Sequence, residues 1–150
     1  MQQFNPASIG KTRHAQGYFQ MKYPQKYVGK IPPVYRSSWE KDLMFTCDLN
    51  PSIIQWAAEP FAIPYYDPVT RTNRQYWPDF LITYMKTDGT LHRELVEIKP
   101  AKQCTLESAK GKKAKLTVAT NQAKWAAASA FCKQYGLTFR VMTEQQLYKR

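Results

Sequence analysis

Residues 76–100 read Tyr76-Trp77-Pro78-Asp79-Phe80-Leu81-Ile82-Thr83-Tyr84-Met85, then Lys86-Thr87-Asp88-Gly89-Thr90, then Leu91-His92-Arg93-Glu94-Leu95-Val96-Glu97-Ile98-Lys99-Pro100. Two runs rich in β-branched and aromatic residues flank an Asp-Gly pair, which is the composition of a β-hairpin. Strands are therefore expected over 75–85 and 91–99. Asp79 lies in the first strand, and Glu97 and Lys99 close the second. Glu97 and Lys99 are two apart and share a strand face. Hydrolysis of a phosphodiester with Mg²⁺ needs carboxylates that leave coordination positions open for water and phosphate. It also needs a cation beside the attacking water or the crowded phosphate. Asp79, Glu97 and Lys99 supply those types. Each fragment alone says little, because Glu-x-Lys is common on solvated strand faces and an Asp after Pro is ordinarily a turn residue.

Register is the first test of the pair. A strict two-residue Asp88-Gly89 loop would place Asp79 opposite Ile98 and put Glu97 on the other face of the sheet. Only an odd-length loop or a bulge brings both carboxylates to one face. The second strand carries a related conflict. Leu91 and Leu95 alternate in step with Glu97, whereas Val96 and Ile98 look like the core pair, and a bulge or twist is expected there.

Composition points the same way. The 150 residues suit one domain with a real core. A formal charge of +11 favours a polyanion as partner, with nucleic acid foremost and general basicity as the plain alternative. No apolar run is long enough to span a membrane, and Met1–Gly10 has no apolar segment of a signal peptide. Cys47, Cys104 and Cys132 are odd in number and widely spaced, as in reduced thiols of an intracellular protein. With His14 and His92 as the two histidines, no zinc ligand spacing is present.

The chain divides into a basic extended arm over residues 1–30 and a domain over 31–150. Residues 1–36 hold Lys11, Arg13, Lys22, Lys26, Lys30 and Arg36 with interleaved aromatics and no acid. Such an arm can lie along phosphates with its rings on bases, or it can wrap the core. Ser37–Asp48 is expected as a helix, with Trp39, Leu43, Met44 and Cys47 as its apolar stripe. Ser37-x-x-Glu40 fits a capping box, so Glu40 is either a capping residue or a third carboxylate turned toward the site. Ile53–Ala58 and Phe61–Tyr66 are short strand candidates, and Arg71 and Arg74 follow in a loop near Asp79. Residues 100–120, with Lys102, Lys110, Lys112, Lys113 and Lys115, are expected as a mobile loop placed to grip DNA backbone. Asn121–Tyr135 is expected as a helix with Ala123, Ala126, Ala127, Ala130, Phe131 and Gln134 on one face, stopped by Gly136. Lys124 near its start is either a phosphate contact or an ordinary surface lysine. Leu137–Met142 is a further strand, and Thr143-x-x-Gln146 caps a short last helix.

The order helix, strands, helix, strand resembles the α/β restriction-endonuclease-like core, a mixed central sheet flanked by helices. Pro78-Asp79 with Glu97-Ile98-Lys99 resembles the PD-(D/E)xK nuclease pattern. The resemblance is closer still to the head completion nucleases of T-even-like tailed phages, over roughly residues 27–148. It is carried by Arg36-Ser37-Ser38-Trp39-Glu40, Ile54-Gln55-Trp56 with Glu59, Ile63-Pro64-Tyr65, Tyr76–Phe80, Val96–Pro100, Asn121–Trp125 and Thr143-Glu144. The same blocks are more loosely similar to the endonuclease subunit of certain cut-and-paste transposases. The resemblance implies a metal-dependent endonuclease, with exonuclease activity open, acting on double-stranded DNA. Mg²⁺, with Mn²⁺ as an alternative, would be held by Glu40, Asp79, Glu97 and the Ile98 carbonyl, with Lys99 completing the catalytic set. It also implies trimming of packaged DNA in the host cytoplasm or virion, alongside head–tail connector proteins. Two other readings stay open: a DNA-binding head–tail joining protein with a vestigial site, and a transposase or repair endonuclease.

Overall fold

The computed structural model describes residues 16–148. Its main sheet has four strands in the order β3 (Ile53–Ala58), β6 (Phe80–Met85), β7 (Leu91–Ile98) and β8 (Thr138–Met142). β6 is antiparallel to both β3 and β7, and β8 runs parallel to β7, so the sheet is mixed. β4 (Ile63–Asp67) and β5 (Thr72–Tyr76) form a separate hairpin. β1 (Gly17–Tyr18) and β2 (Val34–Tyr35) pair near the start of the described chain. Helices α1 (Ser38–Leu49), α2 (Lys112–Tyr135) and α3 (Glu144–Leu147) complete the fold. This is the mixed α/β architecture of the restriction-endonuclease-like core.

Each face of the sheet has its own apolar layer. On one side Leu43, Met44 and Cys47 of α1 pack with Trp56, Phe80, Ile82, Val96, Ile98 and Met142. On the other, Ala128 and Cys132 of α2 pack with Leu95 and with Ile63, Tyr65 and Tyr76 of the small hairpin. β7 therefore buries both faces, and residues 94–98 are all buried. That resolves the alternation conflict without a bulge in β7: Leu95 belongs to one layer and Val96 and Ile98 to the other. The register irregularity lies in β3 instead, between Ile53 and Gln55.

The expected strand over 75–85 is in fact two. β5 ends at Tyr76 in the small hairpin and β6 begins at Phe80 in the main sheet. Pro78 has no N–H to give to a ladder and restricts Trp77 before it, so Trp77-Pro78-Asp79 is the crossing between two sheets. The basic run also differs from the expected loop. α2 starts at Lys112 and runs 24 residues, so Lys112, Lys113 and Lys115 occupy its first turn. Lysine and alanine are good helix formers, but cations oppose the dipole at this end, which hid the start. The buried positions of α2 are Val118, Asn121, Ala128 and Cys132. Ala126 and Ala130, expected inside, are exposed. Gly136 ends the helix in the left-handed conformation at φ 71°.

Residues 16–30 wrap the domain. Phe19 is buried among Phe45 and Trp56. Asp48, 2% exposed, accepts the backbone N–H groups of Lys22 at 2.8 Å and Tyr23 at 2.9 Å. Lys26 Nζ donates to the Asp48 and Asn50 carbonyls, each at 2.9 Å. Asp48→Ala is expected to lower stability by about 1–3 kcal/mol for each backbone donor it leaves buried and unpaired. Urea unfolding checks this; an unchanged midpoint would show that the segment is held by its aromatic rings alone.

Candidate active site

The β6–β7 connection sets the site. Phe80 pairs with Val96, Leu81 with Leu95 and so on to Met85 with Leu91. The turn is closed by Lys86 N–H to Thr90 O at 2.8 Å and Gly89 N–H to Lys86 O at 2.9 Å, with Gly89 at φ +86°. This is the odd-length three-residue loop, a turn followed by a left-handed glycine. Extending the register by one pair puts Asp79 opposite Glu97, as the shared-face requirement demands. Asp79 Oδ2 accepts the Ile98 N–H at 2.8 Å, which locks the carboxylate to the end of β7.

Glu97 is 6% exposed and accepts a hydrogen bond on Oε2 from the Tyr76 phenol. Burial, reinforced by the neighbouring Asp79 charge and opposed by Lys99, raises the Glu97 pKa well above the carboxylate range. Burial also raises Asp79, against the Ile98 N–H, a hydrogen bond with Glu97 and the Lys99 charge. Two carboxylates side by side out of water cannot both ionise cheaply. Asp79 and Glu97 open into a cleft of about 600 Å³ together with Lys99, Arg36, Glu59, Arg74, Tyr76, Trp77 and Lys124.

Glu40 stands at the edge of this group, in the first turn of α1. Ser37 caps the helix by accepting the Glu40 N–H at 3.1 Å, and its hydroxyl donates to Glu40 Oε2 at 3.2 Å. The glutamate thus turns to the Ser37 hydroxyl rather than back to the Ser37 amide. Burial first, then the Asp79 charge, raises its pKa to about 7. It feels Asp79 but does not line the cleft.

The other candidate residues divide into groups. Arg74 and Lys124 line the cleft. Arg74 is 3.6 Å from buried Asp67. Lys124 lies over the Tyr76 ring at 5.8 Å. Burial lowers its pKa, and Lys99 lowers it further. Lys102, Lys110 and Lys113 line a second cavity of about 650 Å³ with Ser108 and Thr117. Lys112 and Lys115 are exposed on α2, and Arg71 is exposed in the β4–β5 turn at φ 56°. None of these last three lines either cavity. The segment after Lys99 is anchored by Glu144, which accepts the Ala101 N–H at 3.0 Å, and by Asn121 Nδ2, which donates to Gln103 O at 3.2 Å. Residue-by-residue patterning gives Glu59 and Tyr76 no role and Arg36 only a place among the cations of the basic arm. Their signal was present: Tyr76 directly precedes Trp77-Pro78-Asp79, and Glu59 follows a strand whose last three residues are buried.

Residues 50–144 match the family described as TnsA-like endonuclease N terminal. The chain belongs to this family. It is also 34% identical over 133 residues to the "Head completion nuclease" of Enterobacteria phage T4, across 81% of this chain and 86% of that protein. The family match contains Asp79, Glu97, Lys99 and Lys124 and stops short of Arg36 and Glu40. Among the described residues no helix is long and apolar enough to cross a membrane. Cys47, Cys104 and Cys132 are free.

The raised Glu40 pKa has a measurable sign. The folded state keeps a proton that the unfolded chain releases near pH 4.5, so stability falls as pH rises from about 4.5 to about 7. The slope per proton is at most about 1.4 kcal/mol per pH unit. Asp79 and Glu97 act in the same direction. With chelator present, Glu40→Gln should flatten its share of this slope, measured by urea unfolding across the range; equal slopes in both proteins would show that Glu40 ionises normally.

Proposed function

We propose that this endonuclease-family protein is a metal-dependent DNA nuclease that acts in phage head completion, cutting or trimming packaged DNA so that filled heads can join tails. The observation that carries the reading is the placing of Asp79 beside Glu97, one step beyond the Phe80–Val96 pair of β6 and β7, with Lys99 in a cleft flanked by Arg36, Arg74 and Lys124. The head-completion role rests on the name of the phage T4 relative.

The donor chemistry suits a hard divalent cation. Asp79 and Glu97 are neighbouring oxygen donors whose charged forms burial penalises, and Mg²⁺ or Mn²⁺ would stabilise those forms. As the side chains stand, no three His, Cys, Asp or Glu among the described residues are gathered to hold an ion. Asp79 and Glu97 would therefore form the primary pair. The Ile98 carbonyl, water and phosphate would complete it, with Glu40 joining on leaving the Ser37 hydroxyl. When bound, Mg²⁺ polarises the phosphate and acidifies a coordinated water.

The chain's own groups do the rest. Tyr76 fixes the rotamer of Glu97 through its hydroxyl, and the Ile98 N–H fixes Asp79. Lys99, on the same strand end as Glu97, orients the attacking water and steadies charge that develops on the phosphate. Lys124, held in the cleft over Tyr76, adds a second cation to that phosphate. Lys102, Lys110 and Lys113 grip the backbone farther along, independently of base sequence.

Two experiments test this. Asp79→Ala and Glu97→Ala should abolish Mg²⁺-dependent cleavage of linear and circular plasmid while the protein stays folded, because relief of a repulsive buried pair offsets the lost Ile98 N–H and Tyr76 hydrogen bonds. Lys99→Ala should slow cleavage by about 10²–10³. Wild-type cutting by the Asp79 and Glu97 variants would hand the protein to the competing reading, a structural DNA-binding factor. Separately, neutralising Lys102, Lys110 and Lys113 should reduce the log–log salt slope of duplex binding by about 0.9 for each phosphate that is no longer neutralised; an unchanged slope would mark them as a solvated face.

A further inference from the structure

We propose that Arg36, held in place by Glu59, is a phosphate-binding residue of the cleft and grips the DNA backbone beside the carboxylate pair; the proposal rests on the nuclease reading above. Ala58 pairs with Phe80, and Phe80 with Val96. One step further along, Glu59, Asp79 and Glu97 stand in a row across the ends of β3, β6 and β7. The Glu59 N–H donates to the Asp79 carbonyl at 2.8 Å, which ties the row together. All three line the same cleft, but they are not equivalent. Glu59 is paired with a cation: Arg36 Nε donates to its Oε1 and Nη2 to its Oε2, both at 3.3 Å.

The backbone points to a function for this pair. Glu59 is in the left-handed region at φ 45°, uncommon for a residue with a side chain. The other such residue among those described, Arg71, is explained by its turn, where its N–H returns to Asp67 O at 2.8 Å. At Glu59 the next residue is Pro60, which has no N–H and disfavours ordinary helical geometry before it. The conformation ends β3 and presents the carboxylate to the cleft. Strain of this kind persists where surroundings hold it, and it gathers at functional sites. The two side chains are part-buried, 24% and 20% exposed, and both line the cleft rather than the closed core.

A guanidinium is planar, so a fork on one edge sets the direction of its whole donor array. Arg36 and Glu59 stand at the β3 end of the row, whereas Lys99 follows β7 at the other. A phosphate drawn to Asp79 and Glu97 would then meet cations from both sides, with Arg36 as the one whose direction is set. Glu59 is accordingly a positioning residue, acting through Arg36.

The test compares Arg36→Ala, Arg36→Lys and Glu59→Gln with wild type and with Asp79→Ala. Duplex-DNA binding is titrated against salt in chelator, and kcat and KM are measured for Mg²⁺-dependent cleavage. Arg36→Ala should shrink the salt slope by about 0.9 and slow cleavage by about 10²–10³. Arg36→Lys should keep the slope but not the rate, since an ammonium cannot hold the fork. Glu59→Gln should bind DNA more tightly yet lower kcat, because it removes a negative charge and frees Arg36 to turn. A purely structural pair would instead give matched losses of melting temperature, with slope and kcat at wild-type values, and that result overturns the proposal. If Arg36→Ala does not fold, the opposed movement of binding and kcat in Glu59→Gln decides. Should Asp79→Ala still cut DNA, the nuclease reading fails; should it be inactive while the Arg36 and Glu59 variants match wild type, this proposal alone fails.

Discussion

Everything at the site follows from forcing two carboxylates together at the end of a sheet that is covered on both faces. Asp79 and Glu97 would each be ordinary in water. Set in adjacent strands with Leu95 and Val96 packed into opposite layers behind them, they lose hydration and face each other, and their proton affinity rises. The rest of the molecule manages that conflict. The Ile98 N–H and the Tyr76 hydroxyl hold the two groups in place, while lysine and arginine side chains gather around them without cancelling them. On the proposed nuclease reading, repulsion held in place by a rigid scaffold would make the site receptive to a cation and to a polyanion that brings cations with it.

The two apolar layers explain why such a scaffold holds. α1 and the wrapped segment from Gln16 cover one face; α2 and the β4–β5 hairpin cover the other. The crossing at Trp77-Pro78-Asp79 joins the small hairpin to the main sheet, and Asp79, one step before β6, is tied to β3 by the Glu59 N–H and to β7 by the Ile98 N–H. Glu144 and Asn121, from elements remote in sequence, hold the chain that leaves Lys99. The end of β7 at Glu97–Lys99 is thus fixed from both directions along the backbone.

Much of this was legible in the chain. Ser37 as a cap, Gly136 as a stop and the strand at Ile53–Ala58 are local signals, and local physics honoured them. The need for an odd hairpin loop was also readable, because side-chain alternation leaves few choices. What was hidden is instructive. The start of α2 was obscured by lysines at the unfavourable end of a helix dipole, and its inward face by a buried asparagine at Asn121, whose partner is a loop carbonyl that no periodicity reveals. The break at Pro78 was masked by strand-like residues on either side. Arg36, Glu59 and Tyr76 could not be assigned one residue at a time, since their meaning lies in who stands next to whom across strands.

The three-residue turn at Thr87-Asp88-Gly89 has a consequence for how this chain can change. It lies at the far end of β6, about 26 Å from Asp79 at the rise of a strand, and it touches no functional group. Yet its length has parity. Inserting or deleting one residue there shifts β7 by one step and sends Glu97 and Lys99 to the wrong side, with every site residue still present in the sequence. Two residues restore the frame. Length variation at this hairpin tip should therefore be quantised among active relatives, and an odd step there would mark a silenced nuclease more surely than many substitutions in the cleft.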